Sequence, residues 1–454
     1  MAGAHVEYHE PGAVDLLVLG SFIYLLNISR WLADRILYAG LLGEILVGIV
    51  FGPPLADILP AEWQQTFLTL GYLGLVLIVF EGGLDFEPAL FLGNALISIL
   101  VAFTGITMPI ALSSALLGAG FSYPSLEAFA AGAALSSTSL GTTFFVLQAT
   151  SKGDKTLNLV KTRIGTILVA AALIDDVVGL IMLSVLSSLG TDGATSSESL
   201  GWTIGRPILV ALLMTAVLPL VFFLLWRMTV FRATMSSPHV CVFCIVALLS
   251  GFVAVAFWAG TSVLLGAFLA GICLSLLAGQ PVVAAFSQYI RPLQDYLLAP
   301  LFFASIGYSI PFLDLFTGKR IWRGLLYSLL MTIAKLSAGV WPAAWSRRRS
   351  ALAPALFVGT ALVARGEIGV LIATVANTSP KHVLGEEAYL EAIWAILVCT
   401  AVGPPVVGVI VRRYGKAIAE GPWGFAPGET KARLEHPAED VVLEPVSALD
   451  STTV

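Results

Sequence analysis

Asp175 and Asp176 stand side by side in AALIDDVVGL (170–179), near the middle of an apolar run from 164 to 189. A charged carboxylate at the centre of a bilayer costs about 2.5 to 3.5 kcal/mol on insertion scales, so such a pair needs a use that offsets it. A helix start in mid-run would give the pair a capping role. The apolar pieces on either side, however, are each too short to span alone. On one continuous helix adjacent positions point about 100° apart, which turns the two carboxylates toward different partners and separate roles.

Lys335 is the single charge in GLLYSLLMTIAKLSAGVWPAAW (324–345), again at mid-run. A lysine that deep cannot reach either interface and must find a carboxylate or become neutral. Asp175 or Asp176 is the natural partner. A static ion pair is one reading; because buried pairs rarely stabilise more than apolar replacements, a pair that opens and closes as a switch is the stronger one. Two further stretches interrupt apolar runs. LSSTSLGTT (135–143) has hydroxyls or glycine at seven of nine positions, and LVARGEIGV (362–370) sets Arg365 and Glu367 on either side of Gly366. Small polar residues also serve as helix-packing contacts. Their density beside Gly141 better suits an unwound segment whose carbonyls and hydroxyls replace a cation's hydration shell. Desolvation and a neighbouring carboxylate both favour the protonated acid. Asp176 would then hold either a proton or a small cation, a mutual exclusion on which exchange of the two can be built.

The elements that must hold these residues are membrane-spanning helices. The chain has 454 residues, 57% of them hydrophobic and 12% charged, and a mean hydropathy of +0.91. A soluble chain does not have this balance, and no ten-residue alternation of a β-barrel is present. Apolar runs divide into thirteen spans: 13–29, 36–54, 65–82, 94–119, 125–148, 164–189, 203–226, 239–259, 262–279, 293–311, 323–345, 351–377 and 388–411. Residues 1–12 lack the basic flank of a secretory signal, so the first span is retained. Lys and Arg gather in SKGDKTLNLVKTR (151–163), at Arg227 and Arg232, and in SRRRS (346–350) and RRYGK (412–416). All lie on one side if the N-terminus is outside and the C-terminus cytoplasmic. Lys319, Arg320 and Arg323 are the exception.

LLGEILVGI (41–49) and LLGAFLAGI (264–272) match at six of nine positions with an offset of 223, and YLGLVLIVF (72–80) aligns with YLLAPLFFA (296–304) at 224. Both matches keep register between the first and last six spans. The expected plan is an N-terminal tail (1–12), a six-helix repeat (13–189), a linking helix (203–231) and an inverted six-helix repeat (239–411), with the site at mid-membrane. Residues 412–454 read as a mostly disordered cytoplasmic tail. Cys241 and Cys244 form C-x-x-C without a second pair or spaced histidines, and are read as packing residues. The net charge of −5, carried in loops and tail, gives no reason for a nucleic-acid partner.

Together LLGEILVGIVFGP, VFEGGLDFEPAL, SSTSLGTT, LIDDVVGL, Lys335 and ARGEIGVLIA resemble the monovalent cation:proton antiporter superfamily, on its second branch of Na+/H+ and K+/H+ exchangers. The resemblance covers the chain to about residue 412. It implies an all-α integral membrane protein of about thirteen helices, with two crossed broken helices, working as a homodimer in a plasma or organelle membrane. The first three spans of each repeat would form a scaffold and the last three a core that moves against it like an elevator. Asp176 would be the cation and proton site, with oxygen ligands from Thr138 and Ser139. Asp175 would pair with Lys335 in one protonation state, release it when the cation arrives, and join Asp176 and Thr138 as a ligand of that monovalent cation. Arg365 and Glu367 would be the charged pair at the second crossover. No cofactor is implied; Na+, Li+ or K+ and H+ are cargo. The two-aspartate pattern implies electrogenic exchange. Glu81 departs from the family's apolar residue and is read as solvated at a cytoplasmic helix end. A K+/H+ exchanger, a sodium-coupled organic-acid symporter and, less favoured, a channel are the alternatives.

Overall fold

A computed structural model describes residues 10, 12–53, 55–84, 94–139, 159, 162–190, 200–226, 237–278, 280–346, 352–421, 423 and 424. Among these, every regular element is helical. A bilayer demands this, because backbone groups without water must pair inside their own segment. In chain order the helices are α1 (Ala13–Leu37), α2 (Gly40–Phe51), α3 (Ala61–Leu84), α4 (Ala95–Gly120), α5 (Ser125–Ser136), α6 (Arg163–Gly190), α7 (Leu200–Trp226), α8 (Pro238–Ala259), α9 (Val263–Ala278), α10 (280–309), α11 (Gly318–Trp345), α12 (Leu352–Ala361), α13 (Glu367–Thr378) and α14 (Glu386–Ala419). Since α12 and α13 share one interrupted crossing, the order accords with the thirteen spans read from the sequence.

The helices pack in two groups. α2 lies against α1 and α10, α3 against α9 and α10, and α8 against α9. In the second group α4 packs on α5, α6 and α11, α14 on α11 and α12, and α13 on α5 and α6. α7 touches α6 and α9, one from each group.

Glycines make the tightest crossings in the first group, where the backbones come so close that a Cβ has no room. A Cβ on Gly48 (α2) would land on the Ala304 carbonyl, and one on Gly307 (α10) on that of Ile45. A Cβ on Gly271 (α9) would land on the Phe80 carbonyl, and one on Gly83 (α3) on that of Phe268. These are the same contact made twice: 271 − 48 is 223 and 307 − 83 is 224, the offset of the sequence repeat.

The fifth span (125–148) stops being helical after Ser136, inside the stretch expected to unwind, and 140–148, Gly141 among them, lie outside the described residues. Two expectations shift. The helix assigned to 388–411 runs on to Ala419, and Trp423 beyond it is 2% exposed, so the chain just past 412 is packed rather than disordered. Glu81 is not solvated: Arg291 Nε and Nη2 both donate to its Oε1, and Gln294 Nε2 donates to Oε2 at 2.5 Å. α10 crosses α3 there, and a carboxylate that sequence position alone places at a helix end is held by the neighbouring helix.

Candidate functional site

Both interrupted helices lose their hydrogen-bond ladder where the sequence supplies small polar residues. The Ser136 and Ser137 hydroxyls donate back to the carbonyls of Ala133 (2.7 Å) and Ala134 (3.2 Å), the local competition by which serine weakens a helix end. Ser137 then turns extended (φ −64°, ψ 151°). α12 ends at Ala361, and α13 begins after an extended Gly366 (φ −108°, ψ −172°). The two unwound pieces cross and bond, with the Ser139 N–H donating to the Ala364 carbonyl at 2.9 Å. A Cβ on Gly366 would stand 3.2 Å from Ser139 Cα, so glycine lets the pieces approach.

α5 therefore ends mid-molecule with unpaired carbonyls and the negative end of a helix dipole. Two buried cations satisfy it. Lys335 Nζ donates to the Ser136 carbonyl at 2.5 Å, and Arg365 Nη1 donates to that of Ser137 at 3.2 Å. Lys335 also donates to Asp175 Oδ2 at 2.8 Å and to Thr138 Oγ1 at 2.9 Å, while the Thr138 hydroxyl donates to the same Asp175 oxygen at 2.8 Å. Lys335 and Asp175 are 0% and 1% exposed. α4 passes over the pair at Gly105, where a Cβ would stand 3.4 Å from Lys335 Nζ and 3.7 Å from Asp175 Oδ2. Asp175 Oδ1 is buried and has no hydrogen-bond partner among the described residues. Asp176, the next residue along α6, is half-buried.

The structure thus brings together Asp175, Lys335, Thr138, Ser139 and Arg365. Lys335 takes Asp175 as its partner, and the Thr138 hydroxyl belongs to that pair. Arg365 binds backbone, reaching the Met331 carbonyl at 3.5 Å as well as Ser137. Glu367 is the first residue of α13, and its side chain lies outside the described residues.

Sequence reasoning missed the Ser136 carbonyl that Lys335 holds and a polar network above the site. Tyr327 OH lies 2.6 Å from Ser113 Oγ, one turn of α11 beyond Met331. One turn further, Arg323 Nη1 donates to Tyr123 OH at 3.0 Å and pairs with the fully buried Glu391 at 3.4 Å, and Tyr123 OH donates to Glu391 at 2.9 Å. Burial, and then the Glu391 carboxylate, raise the Tyr123 phenol above its ordinary range, which keeps it a donor. Lys319 bonds Glu387 at 2.7 Å, and Arg320 lies 3.8 Å from Asp314. The exception to the charge bias was the signal: three basic residues on the sparse side have acidic partners that neutralise them.

The sequence profile of the family described as "Sodium/hydrogen exchanger, transmembrane" matches residues 20–413. The chain is 26% identical over 367 residues to the probable Na+/H+ antiporter GerT of Bacillus cereus, covering 81% of this chain and 91% of that one. It is 24% identical over 380 residues to the Na+/H+-K+ antiporter GerN of Bacillus cereus, covering 83% and 91%. It is 25% identical over 394 residues to a Na+/H+ antiporter of Enterococcus hirae, covering 85% and 95%. Its fold is similar to that of the sodium proton antiporter MjNhaP1 from Methanocaldococcus jannaschii, with a TM-score of 0.66 at 15% identity over 92% of this chain and 100% of that one.

Proposed function

The chain belongs to the sodium/hydrogen exchanger family, and we propose from that premise that it exchanges Na+ or Li+ for protons at Asp176 by elevator-type alternating access. It is a multi-pass membrane protein that antiports monovalent cations and protons, a transporter rather than an enzyme. The observation that carries the finer reading is the division of labour between neighbours: Asp175 is taken up by Lys335 and Thr138, while Asp176 is half-buried beside them.

A proton on Asp176 neutralises it. A cation takes that proton's place, with oxygens from Thr138 and Ser139 at the crossover. As Thr138 turns to the cation it loosens its bond to Asp175, and Lys335 is released from the pair. Asp175, freed from Lys335, joins Asp176 around the cation, so neither carboxylate is left bare in hydrocarbon. The proton from Asp176 and a second given up by the released Lys335 make two protons per cation, an electrogenic exchange. Arg365 and Glu367 hold the second crossover in place. K+ in place of Na+ is the second reading, favoured by the printed specificity of one relative; a sodium-coupled symporter of an organic acid leaves Lys335 without a task.

The two packing groups support a division into scaffold and moving core. α1–α3 and α8–α10 would be the scaffold, and α4–α6 with α11–α14 the core. The repeats would run 13–189 and 239–411 with a linker at 203–231, in a homodimer with its N-terminus outside and C-terminus cytoplasmic, in a plasma or organelle membrane. In sealed proteoliposomes carrying a pH gradient, added Na+ or Li+ should dissipate the gradient with saturation, and Asp176→Asn should not respond. A K+ response alone would select the second reading. No response to any of the three cations would discard antiport at this site.

A further inference from the structure

Among the described residues few polar contacts join the two groups of helices, and two of them are counterparts in the repeats. α1 ends at Tyr38, in the left-handed region (φ 56°, ψ 29°), and α8 ends at Gly260 in the same conformation (φ 73°, ψ 33°). The two positions are 222 residues apart, within one or two of the repeat offset. Glycine is the residue that tolerates this backbone; a tyrosine there is strained and calls for a reason. The reason visible is across the boundary. Arg412 Nη2, near the end of α14, donates to Tyr38 OH at 3.2 Å, and the Tyr38 ring packs against the apolar cluster formed by α4, α6, α12 and α14.

The α8–α9 turn holds the other repeat's last helix. The Ser262 N–H donates to Ser184 Oγ of α6 at 2.9 Å, and the Thr261 hydroxyl lies 3.4 Å from the same oxygen. α6 and α14 are the sixth crossings of their repeats, and each is gripped near its C-terminal end by the turn between the first two crossings of the opposite repeat. Inverted repeats put these two grips on opposite membrane faces. Elsewhere the boundary is suited to sliding: an apolar crevice of about 250 Å³ separates Ala33, Leu37, Leu42 and Leu46 of α1 and α2 from Leu397 of α14.

We propose that Tyr38–Arg412 and Ser262–Ser184 are paired latches that hold the core in its present position against the scaffold and open together when the core slides. This deepens the elevator reading and rests on it. A hydrogen bond has no reach beyond about 3.5 Å, so one rigid displacement of α6 and α14 breaks both contacts, though they lie on opposite faces.

Hydrogen–deuterium exchange of the full chain in lipid nanodiscs tests this without any transported ion. In Tyr38→Phe, which keeps the ring and removes the hydroxyl, the open population should rise about threefold, as for loss of one partly exposed hydrogen bond. Faster exchange should then appear both at residues 37–42 and at 261–266, on the far face. Arg412→Gln, approaching the latch from the other side, should give the same pattern. Faster exchange confined to 37–42 in both variants, or no change at either turn, overturns the proposal. A transport readout keeps this apart from the antiporter reading. If Na+ drives proton flux, the ratio of apparent Na+ affinities on the two faces equals the equilibrium between the two positions, so Tyr38→Phe should change that ratio about threefold. Equal changes on both faces would count against the latch while leaving antiport intact.

Discussion

Lys335 is accommodated at mid-membrane by three oxygens around its Nζ: Asp175 Oδ2, Thr138 Oγ1 and the Ser136 carbonyl. Lys335→Met removes the cation and leaves Asp175 facing only a hydroxyl, a loss of about 3 to 5 kcal/mol for a broken buried pair. Asp175→Asn together with Lys335→Met should recover most of that, because no lone charge remains. Thermal unfolding of the purified protein in detergent checks the contrast; equal destabilisation by the single and double variants would mean that the loss comes from the missing pair itself and not from a stranded charge. Gly105 sets the space above it, where a Cβ stands at ordinary contact distance from Lys335 and Asp175. Gly105→Ala should retain cation-driven proton flux, and Gly105→Leu should lose it through displacement of the pair. The depth of Lys335 and of the aspartates was legible in the sequence, since a charge in a long apolar run declares itself. The choice of Asp175 over Asp176 was not, since it depends on how α6 is rotated against α11 and α5.

At the scale of elements, the spans and both helix breaks were readable because apolar runs, serine and glycine carry local signals. Their exact ends were not: α5 stops at Ser136 because Lys335 and Arg365, far along the chain, hold its last carbonyls. Glu81 failed for the same kind of reason, its partners Arg291 and Gln294 lying on a helix that only folding brings near. The repeated glycine crossings give a prediction that belongs to this scale. Gly48→Ala and Gly271→Ala should each destabilise by about 1 to 3 kcal/mol, and by similar amounts, because each overpacks the same contact. Gly20→Ala on α1, where a Cβ meets nothing within 4 Å, should leave the melting temperature unchanged or raise it. Unequal losses at Gly48 and Gly271 would show that the two crossings are not equivalent.

Taken whole, the molecule is two inverted repeats whose matching glycine crossings recur at an offset of 223 or 224 residues, with matching turns and broken helices at nearby offsets. That offset was visible in two short apolar matches, and the fold extends it to backbone contacts that no residue pattern announces. The repeats cross at a place where helix ends, two buried cations and two aspartates meet, so a change of charge at Asp176 falls where both halves are joined. On the proposed exchange, competition between a proton and a cation for that carboxylate couples the two fluxes, and it can be measured without a membrane gradient. Na+, Li+ or K+ is added to purified protein in lightly buffered detergent, and proton release is followed by a pH indicator. Saturable release of protons by a monovalent cation, absent in Asp176→Asn, is the expected result; cation binding without proton release, or release unchanged in Asp176→Asn, would contradict exchange at this site.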